Sequence, residues 1–177
     1  MPLRIARTPP GEPKPIHDNV DKMLGFVPNL QRLTSISPNA LCGWATLMAT
    51  LAKTLDVKTR DGIALTVSEA DGCGYCLAAY SFTAGKLKNP GARNRAERGG
   101  ALKRSQASGC GCLRESAHRD ARQSSEAQFA AVMDAGWTDA NIVEMIALTA
   151  QFVLTNFMNN AVQTPIDFPE VSPAKAA

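Results

Sequence analysis

Apolar residues recur along this chain at three- and four-residue intervals, the period of a helix buried on one face. Leu41, Trp44, Leu47, Met48, Leu51 and Leu55 trace one such stripe. Ile63, Ala64, Val67 and Ala70 trace a second, and Leu77, Ala78, Phe82 and Ala84 a third. Phe129, Val132 and Met133 mark a shorter face. Ile142, Met145, Ile146, Thr149, Phe152, Val153, Asn156, Phe157 and Asn160 lie along the broadest. The pattern predicts a single all-α domain of five to six helices packed face to face.

Punctuation residues set the expected boundaries. Residues 1–17 are proline-punctuated and predicted loose, with the helical domain running from 18 to 169 and a loose tail at 170–177. Asp18 to Leu24 reads as a short helix closed by Gly25. Ser37 followed by Pro38 is a helix start. Gly72 and Gly136 are helix stops, and Thr138 caps a long helix reaching about Ala161. Ser125 and Gln128 have capping-box spacing. Cys42, beside the first stripe, reads as a small buried hydrophobe, and His17 and His118 fall outside any patterned helix and take no role. Asn156, Asn159 and Asn160 are unusual on an apolar helix: buried amides need partners, either structural or at a ligand pocket.

Composition narrows the picture. The 177 residues are 45% hydrophobic, enough for one core. A net charge of +3 is too small to argue for nucleic acid. The longest apolar stretch, Met145 to Met158, is interrupted by polar residues and shorter than the ~20 needed for a membrane span. The start, MPLRIARTPPGEPKP, has no apolar leader core, and the five cysteines are an odd count, so a reducing cytoplasmic setting is expected.

The chemistry concentrates between Arg60 and Gly85, in RDGIALTVSEADGCGYCLAAYSFTAG. A helix stopped at Gly72 is followed at once by Cys73 and Cys76, in or beside the first turn of the next helix. Unpaired N–H groups and the positive dipole end favour a thiolate there. Redox chemistry is the leading reading; half a zinc site, or two inert buried thiols, are the alternatives left open by spacing alone.

This run resembles the core motif of the alkylhydroperoxidase D-like, carboxymuconolactone decarboxylase-related family, in its peroxidase-related branch. GFVPNL at 25–30 and TNFMNNAVQTPIDFP at 155–169 resemble that branch's flanking signatures, in the same order. The resemblance implies an all-helical, oligomeric fold and a thiol-dependent peroxidase or disulfide reductase with no cofactor and no metal. It assigns Cys76 as the attacking thiol, Cys73 as the resolving thiol and Asp61 as the acidic residue of the proton relay. Glu69, one turn before Cys73, is a second acidic candidate. Where the family carries a histidine, this chain has Tyr80, and a phenol is a poor base at neutral pH. Reduced or altered activity is therefore expected. The implied partners are a small hydroperoxide, an external dithiol and further copies of the chain, with no nucleic acid and no membrane. A helical scaffold whose redox centre has lapsed, and a lactone decarboxylase-like enzyme, are the competing readings.

Residues 90–123 differ in kind. Seven arginines crowd this segment, with Leu102 and Leu113 its only large aliphatics, so it reads as an irregular, solvated insert. Such a composition also matches translation in a shifted reading frame, which resequencing the gene and weighing the native protein decide. Cys110, Cys112 and His118 lie within it; a zinc site assembled from them with Cys73 and Cys76 is the weakest reading.

Overall fold

Helix boundaries in the computed structural model, which describes residues 14–86 and 126–172, follow the capping chemistry of the sequence. Seven helices form among these residues: α1 (Lys14–Leu24), α2 (Asn29–Thr34), α3 (Pro38–Leu51), α4 (Val57–Ala70), α5 (Gly74–Lys86), α6 (Glu126–Asp134) and α7 (Asp139–Val162). The all-α expectation holds, with one or two more helices than the periodicity suggested. Ser37 accepts from the Ala40 amide with Pro38 at the first position of α3. Asp56 caps α4 through the Thr59 amide, and Thr138 and Asn141 form a reciprocal capping box on α7. Burial raises the Asp56 carboxyl, but hydrogen bonds from Thr59 outweigh it and hold the group below its ordinary value.

Three local expectations are corrected. α1 begins at Lys14, so His17 sits in a helix and is buried. Prolines misled here: Pro15 stands in the first turn, where a missing N–H costs nothing. α2, a six-residue helix, is too short to show a period. Cys42 is exposed, lying on the solvent side of α3 with Leu47, 40% exposed. Segment 90–123 with its thiols, and the capping box at Ser125, lie outside the described residues.

The core forms where α4, α5 and α7 pack on one another and α3 packs on α7. Leu51, Leu55, Ile63, Ala64, Val67, Met145, Leu148 and Phe152 fill one part of it. Leu30, Leu41, Trp44, Tyr75, Ala78, Phe168 and both cysteines of the C-x-x-C pair fill another. A fully buried Ile63 or Leu77 contributes ~1.5–3 kcal/mol each by removal from water. By length and hydropathy α7 could pass for a membrane span, unlike the shorter stretch Met145–Met158. Its inner face, however, carries Gln151, Thr155, Asn156 and Asn159, all buried and bonded within the protein, as expected of a core helix.

Candidate active site

One glycine turn places the thiols. At Gly72 (φ 61) the chain takes the left-handed conformation, and the Cys73 and Gly72 amides bond back to Ser68 and Glu69 carbonyls. This is a Schellman stop for α4. Cys73 is at the same time the cap of α5: its carbonyl accepts from the Leu77 amide, and its sulfur accepts from the Cys76 amide at 3.4 Å. Two helix ends thus meet at one cysteine, and Cys76 follows a turn later.

The two sulfurs have different surroundings. Both residues are only 1% exposed. Cys76 lines a cavity of about 840 Å³; Cys73 lies behind it and does not. The Cys76 thiol donating to the Cys73 sulfur, helped by the Cys76 amide, holds Cys73 below the ordinary thiol value despite burial. The Cys76 thiol is pushed up, first by that same hydrogen bond and then by burial. Of the two thiols, ionisation is therefore favoured at Cys73 and opposed at Cys76. Cys76 also receives a hydrogen bond from Asn159 Nδ2 at 3.2 Å, which favours its charged form.

Asn159 is held for this contact. The same Nδ2 donates to the Thr155 carbonyl at 3.1 Å, and the residue is 2% exposed. Its neighbours do other work: Asn156 donates to Asp71 Oδ2 at 2.7 Å and Asn160 to the Asp71 carbonyl at 3.0 Å, tying α7 to the turn that presents the cysteines. Of the three amides, one serves the thiol and two serve the scaffold.

The cavity wall collects residues from α1 to α5 and from α7. Cys76, Ala79, Tyr80 and Thr83 form one stripe of α5, and Val57, Arg60, Asp61 and Ala64 one stripe of α4. Trp44, Met48, Tyr75, Phe152 and Phe168 add apolar surface, and α1 closes one side with Ile16, Val20 and Met23. Trp44 and Met48, read as core positions, thus also face the cavity. Asp61, Tyr80 and Cys76 share this cavity; Glu69 does not line it. Tyr80 packs edge-on against Phe152, ring centroids 5.1 Å apart, and burial pushes its phenol well above the ordinary value. It is a hydrogen-bonding wall, not a base, at neutral pH.

The three stretches that carried the resemblance converge here. The Tyr75 hydroxyl accepts from the Leu30 amide at 3.0 Å, and Asp167 Oδ2 accepts from the Asn29 amide at 2.7 Å. Phe168 stacks against Phe26, Tyr75 and Phe82 at centroid distances of 5.4–5.7 Å.

No family model and no curated protein matches the chain. Solved structures do. A peroxidase-related protein from Silicibacter sp. TM1040 superposes with a TM-score of 0.83 at 20% identity, over 92% of this chain and 88% of that one. An alkylhydroperoxidase core protein from Ralstonia eutropha JMP134, also peroxidase-related, gives 0.80 at 21% identity, over 93% and 94%. The chain has the alkylhydroperoxidase D-like fold. A cysteine-to-alanine variant of a debrominase, in complex with 2,3,4-tribromopyrrole, has the same AhpD-like fold, with a TM-score of 0.79 at 18% identity over 94% and 90%.

Sequence reading missed Asn159 as the thiol's immediate partner, along with Arg60, Trp44 and Gln151 as cavity residues. For Asn159 the signal was present, an amide on an apolar helix face. For the others, position on the wall depends on how helices pack, which spacing within one helix does not report.

Proposed function

We propose that the chain is a thiol-dependent reductase of organic hydroperoxides working through Cys76 and Cys73. One observation supports the reading: Cys76, whose sulfur accepts from the Asn159 amide, lines the cavity, and Cys73 caps the same helix. Cys76 attacks the terminal peroxide oxygen as its proton moves toward the Cys73 sulfur. The O–O bond breaks, the alkoxide takes that proton and leaves as the alcohol, and Cys76 becomes a sulfenic acid. Cys73, again a thiolate, attacks the Cys76 sulfur; the S–O bond breaks and hydroxide leaves as water after taking a proton from solvent. Two electrons have passed to the peroxide and the product is a Cys73–Cys76 disulfide. An external dithiol resets the pair by exchange. Cys73 thus performs the proton transfer for which Tyr80 is unsuited, and Asp61 stands on the same wall as a further proton carrier.

Peroxide-dependent dithiol oxidation tests this, with dimedone trapping. Wild type should turn over, Cys76→Ser should be inactive, and Cys73→Ser should accumulate a trapped sulfenic acid at Cys76. No turnover and no trapping in any form would leave the scaffold reading in its place.

The debrominase relative supports a second reading of the same electrons. An aryl bromide and two thiols balance to the arene, bromide, a proton and the disulfide, and the aromatic-walled cavity has room for a ring. Bromide release from a bromopyrrole in the same assay separates the two.

A further inference from the structure

The Cys76 cavity is apolar over most of its wall, yet an arginine stands on it. Arg60 shares the α4 stripe with Val57, Asp61 and Ala64. Its Nε is buried with no hydrogen-bond partner. Asp61, next in the chain, is engaged by interactions of its own. An arginine nitrogen buried at an apolar cavity without a partner is costly to keep. A ligand that brings a carboxylate removes that cost, because the planar fork of N–H donors matches two carboxylate oxygens.

The position is as informative as the charge. α4 and α5 pack on one another and both line the cavity, Arg60 and Ala64 from one helix and Cys76, Ala79, Tyr80 and Thr83 from the other. Thr83 is seven residues beyond Cys76, ~10 Å along a helix at 1.5 Å per residue. Arg60 and Cys76 thus stand on the same cavity but on different helices, and Ala64, Ala79 and Tyr80 line it with them. Cavities of this size ordinarily bury a whole organic molecule and orient it with one or two polar groups.

We propose that the substrate is the hydroperoxide of an apolar carboxylic acid, seated with its carboxylate on Arg60 and its apolar body along the wall, so that the O–O bond meets Cys76. The identity of the bond that reacts rests on the function proposed above; the acid-binding site does not.

The test uses unreactive probes on the full chain, so that binding is read apart from chemistry. Isothermal titration with dodecanoate, dodecanol and dodecylamine compares a carboxylate, a neutral and a cationic head on one tail. Wild type should bind dodecanoate about tenfold or more tighter than dodecanol, with the amine weakest. Arg60→Gln should lose that preference while still binding dodecanol, which shows the cavity intact, and Arg60→Lys should restore part of it. Equal binding of acid and alcohol by wild type, an acid preference unchanged in Arg60→Gln, or no binding of the dodecyl tail would each overturn the proposal. Turnover of tert-butyl hydroperoxide, which has no carboxylate, reports the thiol chemistry separately, so the two readings fail independently.

Discussion

Asn159 donates its side-chain amide to the sulfur of Cys76 across 3.2 Å, although 83 positions separate the two in sequence. The amide is fixed by its second bond to the Thr155 carbonyl, so it meets the sulfur without reorganising. A hydrogen bond to a charged group is worth ~1.5–3 kcal/mol. Asn159→Ala should therefore slow peroxide turnover about ten- to a hundredfold with little change in KM, read by steady-state kinetics. Asn159→Asp should be worse, because a carboxylate beside the sulfur opposes negative charge. Unaltered kcat in both variants would remove Asn159 from the site.

Cys73 owes its lowered pKa first to the thiol of Cys76. In Cys76→Ala the alkylation midpoint of Cys73 should move up toward the ordinary 9.0, followed by iodoacetamide labelling against pH and mass spectrometry. The stability consequence has a definite sign. Between its native value and 9.0 the folded protein binds fewer protons at Cys73 than the unfolded chain, so stability rises with pH across that window. The rise should be smaller in Cys76→Ala.

Tyr80 and Tyr75 act in the opposite sense. Burial raises both phenols above their ordinary 10.0, so above that pH the unfolded chain loses protons that the native state keeps. Stability should then fall as pH rises past 10.0. Urea midpoints at about pH 9 and pH 11 should differ less in Tyr80→Phe than in wild type, since one raised phenol is gone. Equal slopes would show that Tyr80 ionises freely in the folded protein.

Thr155 serves three groups at once. Its hydroxyl accepts from Trp44 Nε1 at 2.9 Å and from Gln151 Nε2 at 3.0 Å, and donates to the Gln151 carbonyl at 2.9 Å. Thr155→Val keeps the shape and strands an indole N–H and an amide in the core. A loss of about 2 kcal/mol or more in urea unfolding is expected. Thr155→Ser should recover most of it.

How much of this was legible beforehand depends on the range of the interaction. Local chemistry was: Ser37, the Ile63 stripe, Gly72 and Thr138 mark helix ends and faces through the arrangement of residues a few positions apart. The pairing of Cys73 with Cys76 was visible for the same reason. The opposite shifts of the two thiols were not, since they turn on which thiol donates to the other and on how deeply the fold buries each. Leu47, Ile146 and Phe157 fit core stripes but stand 40%, 50% and 70% exposed, because periodicity gives a face and not what covers it. The first turn of α1 was lost to Pro15, and nothing within α4 alone marked Arg60 as a cavity residue.

The bond between Asn29 and Asp167 spans 138 residues, and Phe168 then packs on Tyr75 of the cysteine turn. Order of assembly follows from that. Helices α4 and α5 with their thiols are synthesised and can pair before Phe168, which lines the cavity, has been made. Loop closure over such a length is slow relative to local helix pairing. Cys76 should therefore pass through an open, easily oxidised stage on every folding run, which pulsed alkylation during refolding would register as a labelling window that shuts with the final phase. Docking of Asp167 and Phe168 is, for this chain, the step that turns a bare thiol into a guarded one.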